Sequence, residues 1–136
     1  MFQIQTATPY PATYQECTDV AKREQAANAR PTLLEDIEID QYDVIFLGYP
    51  IWWNDLPMAV YTFMENHDFS GKTIVPFCTH EGSGLAGTVR KVSATASGAT
   101  VLEGLAVRGR TAQSSQDETR EMVDSWLGTL GLATVR

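Results

Sequence analysis

Two short stretches hold the residue types that could do chemistry. Pro50-Ile51-Trp52-Trp53-Asn54-Asp55 places two adjacent indoles directly after an apolar run. Thr79-His80-Glu81-Gly82-Ser83-Gly84 follows a second apolar run and brings together an imidazole, a carboxylate, two hydroxyls and two glycines. Neighbouring side chains on an extended chain point opposite ways. Both indoles therefore cannot enter one core, and at least one lies near the surface. There it is suited to stack on a planar ligand such as an isoalloxazine, a nicotinamide or a base. The competing reading is that both rings cover the following helix or a partner subunit, and the residues alone leave the two equal. In the second stretch the glycines let the backbone approach a ligand and turn N–H groups towards carbonyl or phosphate oxygens. A tight strand-to-helix turn would need the same glycines.

Other chemistries fit these residues less well. Gly82-Ser83-Gly84-Leu85-Ala86-Gly87 matches G-x-G-x-x-G, and Glu103 lies about 20 residues further on, as a dinucleotide fingerprint requires. That fingerprint opens the first βαβ unit of a larger fold, whereas here it follows two earlier strands and too little chain remains. Ser83 is no hydrolase nucleophile elbow, since Glu81 stands where G-x-S-x-G needs glycine. His80 is a general base by type, yet no carboxylate is placed by spacing to orient it. His67 beside Asp68 is explained by a helix C-terminus. Cys17 and Cys78 have no C-x-x-C spacing and, with His67 and His80, do not stand at zinc-ligand spacing. Each cysteine reads as a small buried residue of a reducing compartment.

The elements that must position the two stretches follow from periodicity. Phe2–Thr6 alternates apolar and polar residues, as a half-exposed or edge strand does. Thr13 caps a predicted helix with Tyr14, Cys17, Val20 and Ala21 on one face, ending before Pro31. Asp43–Tyr49 is continuously apolar after its first residue, as in a strand buried on both faces. A helix over Leu56–His67 follows, with Pro57 in its first turn. Lys72–Thr79 is the second buried strand, and Pro76 within it predicts a strand end or a local irregularity. A helix near Leu85–Ala96, a strand over Thr100–Val107 and a helix over Ser114–Leu130 complete the pattern, with Gly131 as the last helix's stop. The order β-α-β-α-β-α-β-α implies a parallel sheet with helices on both faces. In such sheets ligands bind beyond the carboxyl ends of the strands, which is where both stretches fall.

Composition narrows the partners. The chain of 136 residues has the length of one domain, residues 1–136. With 43% apolar and 20% charged residues it has the balance of an ordinary globular protein. A net charge of −7 argues against a nucleic-acid partner, because phosphate binding needs clustered Lys and Arg. Acidity fits solubility first, and steering towards a basic partner second. No apolar run is long enough to cross a bilayer, and Met1–Thr6 lacks the regions of a signal peptide. The expected location is the cytoplasm, with no membrane partner.

At Tyr42–Trp53, Pro76–Gly84 and Val101–Gly109 the sequence resembles the flavodoxin-like family, closest to its short bacterial members. Pro9–Pro31 is similar as well, and the resemblance spans essentially the whole chain. It implies a three-layer α/β/α fold and FMN at the carboxyl edge of a parallel sheet. Pro50, Ile51, Trp52, Trp53 and Asn54 would flank the flavin ring, with one of the indoles stacking. Thr79, His80, Glu81, Gly82, Ser83 and Gly84 would hydrogen-bond its polar edge. Acidic groups, Glu81 and Asp55 among them, would disfavour the anionic reduced flavin, as an electron carrier needs. The family's opening strand, its Ser/Thr-Gly-Thr-rich phosphate loop and its first helix have no counterpart here, and Phe2–Thr6 matches the family's second strand. The resemblance thus implies weakened FMN binding and an open edge on Asp43–Tyr49, closed either by Phe2–Thr6 or by a homodimer. Two alternatives accompany the electron carrier: a flavin-free interaction module using Trp52, Trp53 and the strand edge, and a flavin-dependent NAD(P)H:quinone-type reductase.

Overall fold

The structure, a computed structural model, describes residues 1–131. Its frame is a parallel sheet of β1 (Val44–Pro50), β2 (Thr73–His80), β3 (Thr100–Val101) and β4 (Leu105–Arg108). The helices are α1 (Tyr14–Ala26), α2 (Met58–Glu65), α3 (Thr88–Thr95), α4 (Gly109–Ser114) and α5 (Gln116–Thr129). β2 is central: β1 lies on one side, and β3 and β4 share the other. The parallel α/β architecture read from the sequence is what the chain adopts.

Alternation along the strands divides the side chains between two faces. Leu47 and Tyr49 of β1 and Ile74 and Cys78 of β2 join Val60, Phe63 and Met64 of α2 and Val92 of α3 in one core. Phe46 and Phe77 point to the opposite face, where Trp126 of α5 meets both rings edge-on at 6.3 Å between centroids. This second face is thinly covered, leaving Phe46 49% and Phe77 39% exposed. Gly48 lies beneath Phe77: a Cβ there would sit 2.4 Å from the ring, so only glycine lets the aromatic lie flat on β1.

The expected strand over Thr100–Val107 is two strands, for a reason visible at Pro76. Ile74 presents its carbonyl to the Leu102 N–H at 3.0 Å. Two residues on, Pro76 faces the same side but has no N–H to give. Between the pairs Ile74↔Val101 and Phe77↔Leu105, three residues, 102–104, stand opposite two. The bulge is used elsewhere, since the Glu103 carbonyl accepts the Trp126 indole N–H at 2.9 Å.

Other expectations need smaller corrections. α1 starts as predicted, with the Thr13 hydroxyl accepting from the Glu16 N–H. Leu56–His67 shortens to α2, with Pro57 as N-cap rather than inside the first turn. Leu85–Ala96 shortens to α3, because Ala86 and Gly87 both have positive φ and break the helical path. Ser114–Leu130 becomes α5, and α4 precedes it. Gly131, at φ 73°, closes α5 as expected.

The largest correction is at the start. Phe2–Thr6 is not a strand and does not pair with β1; it makes one isolated antiparallel bridge, Thr6↔Leu33. Its alternating side chains point correctly, with Phe2 and Ile4 packed against the core. A groove of about 1250 Å³ separates them from β1, so no ladder partner is within reach. The segment Leu33–Ile39 that carries the bridge is tied to α2's end by Asp36, whose carboxylate binds His67 at 2.6 Å and Asn66 at 3.1 Å. Burial raises the Asp36 pKa, but the His67, Ile37 and Asn66 hydrogen bonds outweigh it and hold the carboxyl below its usual range.

Two outcomes follow. Ile74, fully buried, is expected to cost about 2–5 kcal/mol when cut to Ala, whereas Tyr14→Ala, at 84% exposure, stays within about 0.5 kcal/mol. Urea midpoints check both. Because its folded pKa is depressed, Asp36 contributes stability above its unfolded value of about 3.9 and loses it as pH falls through the lower folded value. Asp36→Asn should therefore flatten the acid limb of the stability–pH profile, measured by thermal melts between neutral pH and pH ~2.

Candidate functional site

The parallel register brings the two chemical loops together. Pro50 pairs with Thr79 at the carboxyl ends of β1 and β2, and the Ile51 N–H continues the ladder to the Thr79 carbonyl at 3.2 Å. The chain after β1 then reverses within four residues. Trp52 and Asp55 exchange backbone hydrogen bonds at 2.9 and 3.1 Å, and Trp53 and Asn54 between them have φ of 52° and 61°. Positive φ at both central positions defines a type I′ turn, which ordinarily takes Asn-Gly. A tryptophan there is strained.

α1 supplies what holds that strain. The Trp53 indole N–H donates to the Thr18 carbonyl at 3.0 Å, Lys22 lies over the ring at 4.1 Å, and the Gln25 amide donates to the Trp53 carbonyl at 3.1 Å. Trp53 is thus 46% exposed but committed to α1. Trp52 takes the other direction. It is half-buried, meets Tyr10 edge-on at 5.2 Å, and lines the carboxyl end of the groove beside β1. Tyr10 is fixed by donating to Glu24 at 2.7 Å; burial first, then that carboxylate, keeps its hydroxyl protonated well beyond the ordinary range.

His80 organises the second loop from inside. Its Nδ1 accepts the Gly82 N–H at 2.9 Å and the Gly84 N–H at 3.1 Å. Both amides are aimed at Nδ1, which makes that nitrogen the acceptor and leaves Nε2 as the ring's donor position. Two loop amides that could have met a ligand are therefore turned towards His80, while Glu81 and Ser83 are exposed. The Glu81 Oε1 lies 2.6 Å from where a Cβ of Gly109 would be, so glycine at that position lets the loop rest on β4's end. Below the loops Tyr49 and Thr88 share a buried hydrogen bond of 2.9 Å, and Thr88 also donates to the Leu85 carbonyl at 2.6 Å. Asp55 is not a free charge: Lys91 approaches it at 3.2 Å, and the Leu56 N–H and Tyr61 hydroxyl donate to it. Burial raises the Cys78 thiol's pKa, so it stays protonated as a core group.

Pro50 through Asn54 and Thr79 through Gly84 thus form two adjacent rims at one end of the sheet. Sequence reasoning missed the Trp53 clamp, the inward role of His80 and the Tyr49–Thr88 pair. A histidine two and four residues before glycine amides was the one available signal. Among the described residues, Gly82–Gly87 is the glycine-rich stretch at this end of the sheet, and no second one stands beside it to receive a phosphate.

A parallel α/β sheet with paired loops at its carboxyl edge is the architecture of the open, doubly wound α/β domains. The sequence profile of the flavodoxin family matches residues 1–127, and the chain belongs to that family. It is similar to the crystal structure of a protein assigned as a flavoprotein from Bacteroides uniformis, at 28% identity and TM-score 0.75, covering 90% of this chain and 79% of that one. A second protein so assigned, from Bacteroides eggerthii, gives 28% identity and TM-score 0.73 over 96% and 80%. A flavoprotein from Lactobacillus acidophilus, solved in complex with FMN, shares the fold at 19% identity and TM-score 0.61, over 83% and 77%. No curated protein matches the chain.

The His80 latch has a measurable consequence. In His80→Ala the Gly82 and Gly84 amides should exchange with solvent roughly tenfold or more faster, as two hydrogen bonds of about 0.5–1.5 kcal/mol each are lost. His80→Asn, whose Oδ1 can replace Nδ1, should recover part of the protection.

Proposed function

We propose that this chain binds a flavin, FMN by family, on the rims 50–54 and 79–84 and uses it to carry electrons. When bound, the cofactor supplies the redox chemistry, and the protein supplies orientation and electrostatics. The observation that carries the reading is the Pro50↔Thr79 register, which sets an indole-bearing loop beside a polar, glycine-rich one. Of the two indoles, Trp52 is the candidate for the ring, because Trp53's N–H and one face are held by α1. His80 Nε2–H and Ser83 are the candidates to donate to the ring's carbonyls. Glu81 is the carboxylate at this edge that would resist negative charge on a reduced ring, since the charge of Asp55 is met by Lys91. No residue here is required as a catalytic acid or base, because the redox chemistry would be the flavin's.

The residues present fit the ring side better than the phosphate side. Riboflavin and FMN should therefore bind with affinities within a few-fold of one another, followed by quenching of flavin and tryptophan fluorescence. Trp52→Ala should weaken both roughly tenfold, from a lost aromatic stack of about 0.5–1.5 kcal/mol and its buried area, while Trp53→Ala should act mainly through stability. The absence of quenching at tens of micromolar FMN would defeat the flavin reading. Turnover of a nicotinamide donor with a quinone would replace the carrier by a reductase.

A further inference from the structure

Tyr10 and Tyr61 flank the loop that carries Trp52 and Trp53, and cations are set unevenly over these rings. Lys22 lies over the Trp53 ring at 4.1 Å, and Arg30 lies over the Tyr61 ring at 5.0 Å. A cation on a ring face is attracted to the neutral π-system and repels any positive charge placed on that ring. Trp53 and Tyr61 are thereby made harder to oxidise. Among the described residues no Lys or Arg stands over Trp52 or Tyr10. These two meet edge-on at 5.2 Å between centroids, within the contact range of aromatic pairs.

The two tyrosines differ in their carboxylates as well. Tyr10 donates to Glu24 Oε1 at 2.7 Å, and Tyr61 donates to Asp55 Oδ1 at 2.8 Å. Lys91 approaches that same Asp55 oxygen at 3.2 Å, which makes it the poorer base. Glu24 enters no ion pair among the described residues. A phenol loses an electron far more readily when its proton leaves in the same step, because a protonated phenoxyl radical is a very strong acid. Burial first, and Glu24 second, keep the Tyr10 hydroxyl protonated at rest, so the proton is in place and aimed at a base. The indole N–H groups of Trp53 and Trp126 bond the Thr18 and Glu103 carbonyls, whereas that of Trp52 has no acceptor among the described residues.

We propose that Trp52, Tyr10 and Glu24 form a proton-coupled relay that removes an oxidising equivalent from the first rim. A one-electron oxidant, a radical of the azidyl or peroxyl class, takes an electron from Trp52 and leaves an indole radical cation. One electron then passes from Tyr10 to Trp52. In the same step the Tyr10 O–H bond breaks and an O–H bond forms on Glu24. The products are neutral Trp52, a neutral Tyr10 phenoxyl radical and protonated Glu24, so the positive charge on the indole and the negative charge on the carboxylate cancel. A thiol or ascorbate in solution supplies the electron that restores the phenol, and Glu24 returns the proton. The relay spares the indole proposed above for the ring, yet no step of it requires a flavin.

The test uses the whole chain without cofactor and azidyl radicals from pulse radiolysis, which oxidise indoles in preference to phenols near neutral pH. Trp53→Phe removes the exposed indole and keeps a ring beneath Lys22. In that background indolyl absorbance should decay into phenoxyl absorbance at a rate independent of protein concentration. Tyr10→Phe, which keeps the edge-on ring and removes only the hydroxyl, should slow the decay roughly tenfold, the equivalent of a barrier about 1.4 kcal/mol higher. Glu24→Gln should slow it several-fold, and Tyr61→Phe should leave it unchanged. With Trp53 in place, mass spectrometry after the same exposure should find Trp52 oxygenation products several-fold more abundant in Tyr10→Phe than in the unsubstituted chain. Equal decay and equal Trp52 damage with and without the Tyr10 hydroxyl would overturn the relay. So would loss of the transfer in Tyr61→Phe, a rate that rises with protein concentration, or indifference to Glu24→Gln, which would send the proton elsewhere.

Discussion

Seven consecutive parallel pairs between β1 and β2 fix the rest of the molecule. Because side chains alternate, a slip of one residue would send Leu47 and Tyr49 to the thinly covered face and bring Phe46 into the core. The α2/α3 core prevents it: Ile74 and Cys78 occupy the same layer as Leu47 and Tyr49, and all four meet the helices. The Pro50↔Thr79 alignment at the end of the ladder is a consequence of that packing. The site's geometry is therefore inherited from apolar burial, and the polar loops need not find each other on their own.

What the loops add is rigidity of two kinds. The first holds strain: a type I′ turn with tryptophan at its first central position persists because three α1 groups grip that residue. Conformations of this sort last only where surroundings over-determine them, and they gather at functional loops. The second substitutes internal partners for ligand: His80 ties Gly82 and Gly84 so that the loop keeps its form without a bound molecule. Together they describe a rim made in advance, the kind of arrangement that would lower the ordering cost of binding a ligand there.

Much of this was legible in the residues. The buried strands, the helices between them and the parallel sheet followed from continuous apolar runs, and Pro76 announced an irregularity in its own ladder. The two loops were singled out because ligand sites of such sheets lie at carboxyl ends, a rule of topology. Three things were hidden. Phe2–Thr6 has the right alternation for a strand, but strand identity needs a neighbour, and periodicity says nothing about whether one is in reach. The division of labour between Trp52 and Trp53 depends on where α1 packs, a contact made from residues far away in the chain. The inward turn of His80 depends on two amides whose direction only backbone dihedrals decide.

The open edge and the site are not independent. Pro50 and Trp52 border both the groove and the rim, so whatever lies along β1 also touches the loop that carries the indoles. Tyr10 and Trp52, which meet edge-on at 5.2 Å, stand at that shared border, and Trp53, gripped by α1, does not. That asymmetry follows from α1 holding one tryptophan and leaving its neighbour to the groove.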